Sequence, residues 1–275
     1  MFDRLLLSYL RNAPLDQGKG LLAKRVDIRR FPQQVKFTTR TGITYNLDLR
    51  EYVQRNLFLH GDYERNTMRH VRRLIRSGDT VVDIGGNIGF YALEMARLNA
   101  PGRLISFEPN PAALERFKDN HKLNPAITNI ELIEHGLSDA PGGFTLSFNR
   151  GNLGSASAFG NAPERIEVKV DTLDAVLAAK GIDRVDVMKI DIEGGEFAAL
   201  RGAEHTIANS PRMMLVIEII DDHCKRAGYT GEELFDFIVA KGFTGYLPKP
   251  WPFALKPITA YDPGYYDNII FLKGH

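Results

Sequence analysis

The stretch VVDIGGNIGFYAL, Val81 to Leu93, limits the architecture of this chain more than any other. Its apolar run is too short for a helix and suits a strand buried on both faces. Glycines then turn the chain, and a helical pattern begins. The unit recurs. RLISFE follows a break at Ala100-Pro101-Gly102 and leads into PNPAALERFKDNHKLN, a helix opened by proline. NIELIEHG, DVMKID and MMLVIEII are further strand-like runs. GEELFDFIVAKG is a helix with glycine at its C-terminal end, and FTGYL and DNIIFLK close the chain as strands. This alternation predicts an α/β fold: an open, mostly parallel sheet with helices on both faces. Ligands of such sheets bind beyond the C-terminal strand ends, where the strand order reverses. Gly85 to Gly89, Glu108, Asp139 and Asp191 all fall at those ends.

Two regions depart from the pattern. Residues 1–62 read as an N-terminal extension: a short amphipathic helix in MFDRLLLSYLRNAPL, then a hairpin of QVKFTTR and ITYNLDL around Thr41-Gly42. A helix from Tyr63 to Arg76, ended by Ser77-Gly78-Asp79, opens the main domain, 63–275. Between the third and fourth core strands, GGFTLSF and RIEVKVDTL read as added strands. They flank a Gly/Ser/Ala-rich loop from Arg150 to Ala162, expected to lie as a mobile cover over the cleft.

The turn itself discriminates between ligands. A helix start with free N–H groups favours an anion. The dinucleotide fingerprint Gly-x-Gly-x-x-Gly fails here, because its second glycine would be Asn87 or Ile88, according to the frame. Asp83 would repel a pyrophosphate but suits an ammonium or a sulfonium. A ligand with a carboxylate, an ammonium and a sulfonium is S-adenosylmethionine. Its carboxylate is expected on the main-chain amides of Gly85, Gly86, Asn87 and Gly89, with Asp83 near the cationic end. Glu108, in FEPN at the end of the second strand with Pro109 and Asn110, is placed to accept the ribose hydroxyls. Ser138 and Asp139, in LSD after the third strand, are placed at the adenine.

Taken in order, VVDIGGNIGFYAL, FEPNP, LSD, VKVDTLDAVL, VMKIDIEGGEFAALRGA and VIEI resemble the FkbM-type S-adenosylmethionine-dependent methyltransferases. The resemblance runs from about Tyr52 to Lys273 and is most specific in KIDIEGGE. It implies a Rossmann-like class I methyltransferase fold, a seven-stranded, mostly parallel sheet whose antiparallel last strand is DNIIFLK. It also implies O-methylation of a hydroxyl, often on a sugar or a secondary metabolite. Two features depart from the family pattern. IIDDHC follows the fifth strand where the family often has a histidine sooner after the glutamate, so His223 is displaced. The segment PKPWPFALKPITAYDPGYY is long.

A hydroxyl acceptor attacks well only as its proton leaves. Asp191, at the end of the fourth strand, is the first candidate for base or for hydroxyl anchor. Glu193 follows two residues later, where a charge also suits the start of a helix. Lys189 shares a strand face with Asp191 and reads as its ion-pair partner. His223 is a second candidate base, and equally a histidine in a polar loop. Asp191, Glu218, Asp221 and Asp222 offer oxygen ligands for magnesium, but nothing in their spacing demands it, so no metal ligand is assigned.

Composition narrows the rest. Residues 1–80 carry 16 Lys and Arg against 8 Asp and Glu, whereas the remainder carries 19 against 26. The basic front suits an anionic acceptor, a peripheral membrane contact through the first helix, or packing on the chain's own acidic body. The acidic main body, and the lack of an Asn/Asp-Pro-Pro-aromatic element, argue against nucleic acid. Trp251, Phe253, Tyr261, Tyr265 and Tyr266 form an aromatic tail suited to a small-molecule or glycan acceptor, or to a packed edge. With one cysteine, Cys224, no disulfide forms within the chain, which fits a reducing, cytoplasmic setting. A homo-oligomer is left open. Two other classes stay in play: a nicotinamide-dependent Rossmann oxidoreductase and a non-catalytic nucleoside-binding module.

Overall fold

The computed structural model describes residues 2–13, 18–250, 253–264 and 268–275. Met1, Pro14 and Leu15 of the expected first helix lie outside the described residues, as do Trp251, Tyr265 and Tyr266. The described part of that helix is Phe2–Asn12. Strands β1 (Gln34–Thr38) and β2 (Thr44–Asp48) pair antiparallel, with Thr38 opposite Thr44, as the hairpin pattern predicts.

Three short core strands follow: β3 (Val81–Ile84), β4 (Leu104–Phe107) and β5 (Ile130–Ile133). Every residue of β3 and β4 is buried, as strands covered on both faces require. Helix Phe90–Asn99 joins the first two, and Pro111–Lys122 the next two. The chain then leaves this sheet. β6 (Gly136–Leu137), β7 (Gly142–Asn149), β8 (Asn152–Ser157) and β9 (Glu164–Asp171) build a second sheet in the order β6-β9-β7-β8. Helix Leu173–Ala179 leads back to β10 (Val187–Ile190) and β11 (Met213–Glu218). β12 (Thr244–Pro248), β13 (Leu255–Ile258) and β14 (Asn268–Lys273) complete the main sheet.

Its order is β13-β12-β14-β11-β10-β3-β4-β5. β10 pairs in parallel with both β3 and β11, and β14 runs antiparallel to β11. From β3 the chain steps one way to β4 and β5, then returns on the other side at β10. That reversal opens a crevice at the C-terminal ends of β3 and β10.

The α/β class and the antiparallel last strand agree with expectation, and three details differ. Among the described residues the sheet has eight strands, not seven, because β13 forms in the long proline-rich segment. It is an edge strand, where Pro257 removes no needed ladder donor. The helix expected over Tyr63–Arg76 forms as Arg65–Leu74, but it is the second of two helices, after Tyr52–His60. Gly61, at φ 71°, ends the first in the left-handed conformation. The Gly/Ser/Ala stretch read as a loop contains β8, paired antiparallel to β7.

Alternate strand residues feed two cores. Val81, Val187, Met214 and Val216 face one cluster, while Val82, Met188, Leu215 and Ile217 face the other. The first cluster also contains Leu10, Tyr45, Leu47 and Leu57, each fully buried, so the N-terminal extension covers one face of the main sheet. Among the described residues no helix is long and apolar enough to cross a membrane.

Candidate active site

A cavity of about 500 Å³ opens at the C-terminal ends of β3, β4, β10 and β11. Its floor includes Gly85, Gly86 and Asn87. Glu108 and Ser138 stand on one side, Asp191, Glu193 and Glu218 on the other. Leu153 to Ala156 of β8 and Phe159 line it too, so the inserted sheet covers the cleft as its place in the sequence suggests.

The glycine turn is held by the protein itself. Gly85 has φ 91°, and a Cβ there would lie 2.1 Å from the carbonyl oxygen of Asp191. A Cβ on Gly89, at φ 88°, would lie 2.6 Å from the Phe117 ring. The turn's amides are largely committed as well. Gly85 and Gly86 both donate to the Phe107 carbonyl, Gly89 donates to the Gly86 carbonyl, and Asn87 donates to Glu108. The glycines are therefore required by close packing of chain on chain. Among the described residues, the Ile88 and Phe90 amides at the start of helix Phe90–Asn99 form no backbone hydrogen bond.

Glu108 is buried at the cavity wall. Its Oε2 accepts the Asn87 N–H at 2.7 Å and its Oε1 the Asn110 N–H at 2.8 Å. Burial pushes its carboxyl up to about 7 despite those bonds. Each oxygen keeps a further lone pair for a ligand hydroxyl. Pro109 lines the cavity, whereas Asn110 caps helix Pro111–Lys122 by accepting the Ala112 N–H, and does not line it. Asp139 stands outside the lining, half exposed and paired with Arg201 at 3.2 Å.

Asp83 lies under the floor and not in the lining. It is fully buried and accepts the Ser106 hydroxyl at 2.9 Å, while its Oδ1 has no partner among the described residues. Burial raises its carboxyl to about 6, although Lys189 and Ser106 oppose the rise. Register explains the grouping. Ser106, Asp83 and Lys189 sit side by side on β4, β3 and β10, and so project from one face.

One row further along, β10 and β11 deliver the charged wall. Lys189 Nζ donates to Asp191 Oδ2 at 2.7 Å and lies 4.8 Å from the centre of the Tyr91 ring. Burial alone would lower the ammonium, but Asp191, Glu64 and Asp83 hold it above its ordinary value. Glu218 ends β11. Burial, then Asp191, Glu64 and Glu193, push its carboxyl up to about 9. His223 Nδ1 lies 2.8 Å from Glu193 Oε2, and that hydrogen bond raises the imidazole although burial opposes it. The structure thus joins Asp191 to Lys189 and His223 to Glu193. His223 itself does not line the cavity.

The oxygen set suggested for magnesium does not assemble as read. Asp221 accepts from Lys225 at 2.6 Å and Asp222 is exposed. Instead, Glu193, Glu218 and His223 converge. In the aromatic tail, Phe253 packs under Arg69 at 3.6 Å, and Tyr261 donates to the Ile219 carbonyl at 3.3 Å; neither lines the cavity. Sequence reasoning missed Glu64, which accepts from Tyr91 at 2.5 Å and Asn268 at 2.6 Å. Nothing in its local pattern marks it, because it reaches the site from the helices before β3.

The strand order, the reversal at β3 and the cavity beyond it define a Rossmann-like fold of the class I methyltransferase type. A family model described as the methyltransferase FkbM domain matches residues 83–244, more than half of the chain, and the chain belongs to this family. Methyltransferase sdnD of Sordaria araneosa is 26% identical over 160 residues, covering 46% of this chain and 61% of that protein. The 31-O-demethyl-FK506 methyltransferase FkbM of Streptomyces tacrolimicus is 26% identical over 204 residues, 62% of this chain and 75% of that one. The hexuronic acid methyltransferase AglP of Haloferax volcanii is 23% identical over 145 residues, 52% of this chain and 58% of that one. The chain therefore spans about three fifths of the length of sdnD and of AglP.

Proposed function

We propose that the chain is an S-adenosylmethionine-dependent O-methyltransferase acting on a hydroxyl of a saccharide, a glycan or a related metabolite. The observation that carries this reading is the joining, in one cavity, of a nucleoside-type carboxylate, Glu108, with the Asp191 carboxylate across the β3–β10 crevice. Membership of the methyltransferase family supports the reaction class. The hydroxylated acceptors named for FkbM and AglP support the acceptor class.

The residues fit the cofactor. Glu108 offers its free lone pairs to the ribose hydroxyls. The open amides of Ile88 and Phe90 face a carboxylate at the positive end of their helix. Asp83, buried beneath the turn, acts on the cationic end through the floor and not by contact. Ser138 is the member of the LSD segment placed for the base. When bound, the cofactor supplies a methyl group on a sulfonium, whose loss leaves a neutral thioether.

The chain's own residues then orient the acceptor and take its proton. Asp191 keeps one oxygen on Lys189 and has the other for the acceptor hydroxyl. Held in line, the hydroxyl gains most from orientation, and proton removal adds to it. The His223–Glu193 pair stands second to Asp191 as proton acceptor, because its Nδ1 is engaged and His223 is off the lining. β8 roofs the cavity and excludes water.

Calorimetry with S-adenosylmethionine and with NADH, followed by labelled methyl transfer to a panel of glycosides, tests this reading. Binding of the sulfonium cofactor alone, with label on a glycoside oxygen, is expected. Binding of NADH alone would overturn it.

A further inference from the structure

We propose that Glu193, Glu218 and His223 form a binding site for a first-row divalent cation of the Mn²⁺ type at the acceptor end of the cavity. One potential ligand atom from each side chain lies within 4.8 Å of the other two. The three come from separate elements: the turn after β10, the last residue of β11 and helix Asp221–Arg226. None is a surface charge, since the Glu193 and His223 side chains are 17% and 20% exposed. Glu193 and Glu218 line the cavity, so an ion held there meets whatever enters it. Glu193 is pinned from behind, its carbonyl accepting the Ser157 hydroxyl at 2.7 Å.

A second observation comes from the neighbouring strand. Asn268 stands directly opposite Glu218 in the β11–β14 ladder, so the two side chains share a face. Asn268 is only 3% exposed. Its Nδ2 is committed to Glu64, and its Oδ1 has no partner among the described residues. No hydrogen bond from the described residues reaches the Glu218 carboxylate either. Glu218 and the Asn268 amide oxygen thus stand on one face of neighbouring strands, and neither meets a donor among the described residues. Lys189, the nearby ammonium, is taken by Asp191. An unpaired buried amide oxygen is costly, and a cation within its reach removes that cost.

The donor set selects the type of ion. One imidazole nitrogen with carboxylate oxygens suits Mn²⁺, Fe²⁺ or Zn²⁺, whereas Ca²⁺ takes oxygens alone. Metal–ligand bonds of roughly 2.0–2.2 Å place neighbouring ligands of an octahedron about 3 Å apart. The separation of 2.8 Å between His223 Nδ1 and Glu193 Oε2, a hydrogen bond without the ion, is near that edge, and the ion takes the place of the shared proton.

The ion's role, though not its binding, rests on the methyl-transfer reading. A hydroxyl beside the cation is more acidic. Its proton passes to the free oxygen of Asp191. The hydroxyl oxygen bonds to the methyl carbon as the carbon–sulfur bond breaks, and that electron pair stays on sulfur. The cation is unchanged.

The test is titration of the chelator-stripped full chain with Mn²⁺, by calorimetry and by electron paramagnetic resonance, alongside a separate S-adenosylmethionine titration. One Mn²⁺ per chain is expected. Glu218→Gln and His223→Gln should weaken it at least about tenfold, the lower end of the loss when even a ligand-orienting group is removed. Asp222→Asn, an exposed carboxylate on the same helix as His223, should leave it unchanged. Glu193→Gln serves as a further variant, and circular dichroism checks that each is folded. Absence of Mn²⁺ binding by the folded wild type, or equal binding by the folded variants, would overturn the site. Cofactor binding without Mn²⁺ binding sinks the cation site and leaves the methyltransferase reading standing; Mn²⁺ binding without cofactor binding does the reverse.

Discussion

Gly89 illustrates how little room the site leaves at the residue scale. A methyl group there meets the Phe117 ring at 2.6 Å while the backbone holds φ 88°. Gly89→Ala should cost about 2–4 kcal/mol, the sum of a left-handed alanine and an overpacked core, read by urea unfolding. Phe117→Leu in the same chain should recover part of it. Glu108 carries a pH prediction. Its carboxyl sits at about 7, so cofactor affinity should weaken as pH falls through that value and the carboxylate loses an acceptor site. Calorimetry between pH 5.5 and 8.5, as rough limits around that midpoint, checks this; a flat profile would speak against a ribose contact. The effect on stability runs the other way. A carboxyl raised from 4.5 to about 7 in the fold contributes stability at low pH that is lost as pH rises through 7. At this scale the sequence was legible where chemistry is local: Glu108 and Asp191 both line the cavity. Asp83, expected near the cationic end, lies beneath the floor and not in the lining, a distinction the local sequence does not make.

Strand β8 is the element whose formation was least legible. Its residues, NLGSAS, have weak strand preference, and glycine and serine within it read as loop. Pairing with β7 overrides that preference, and Glu51 adds a tie from the N-terminal extension. Glu51 Oε1 accepts the Leu153 N–H at 3.2 Å, while its Oε2 accepts the Gln54 N–H at 2.8 Å and caps helix Tyr52–His60. Glu51→Ala should speed amide exchange across residues 152–157 while β3 and β4 stay protected, as hydrogen–deuterium exchange would measure. Unchanged exchange would remove Glu51 as the anchor of the roof. β13 was missed for a related reason: prolines around it argue against a central strand, yet an edge strand accepts them. The four-residue strands β3, β4 and β10 were legible because burial on both faces leaves a mostly apolar signature, VVDI, LISF and VMKI.

On the scale of the whole molecule, the basic front is built into the body. Leu10, Tyr45, Leu47 and Leu57 are fully buried in one cluster with Val81 and Leu93. Removing residues 1–62 would uncover that cluster. The truncated chain should therefore bind a hydrophobic dye and lose cooperative unfolding, where a separable appendage would leave both unchanged. The mostly parallel sheet and its antiparallel last strand were legible from the βα alternation and the family resemblance, whereas the covering of one sheet face by the extension was not, since contacts across about forty residues leave no local periodicity. The central claim is that one crevice seats an adenosyl sulfonium between Glu108 and Asp191. A crystal structure of the full chain with S-adenosylhomocysteine tests it most directly. The account predicts the ribose hydroxyls on the Glu108 carboxylate and the thioether sulfur turned toward Asp191. A nucleoside seated elsewhere, or a crevice that stays closed to it, would contradict the account.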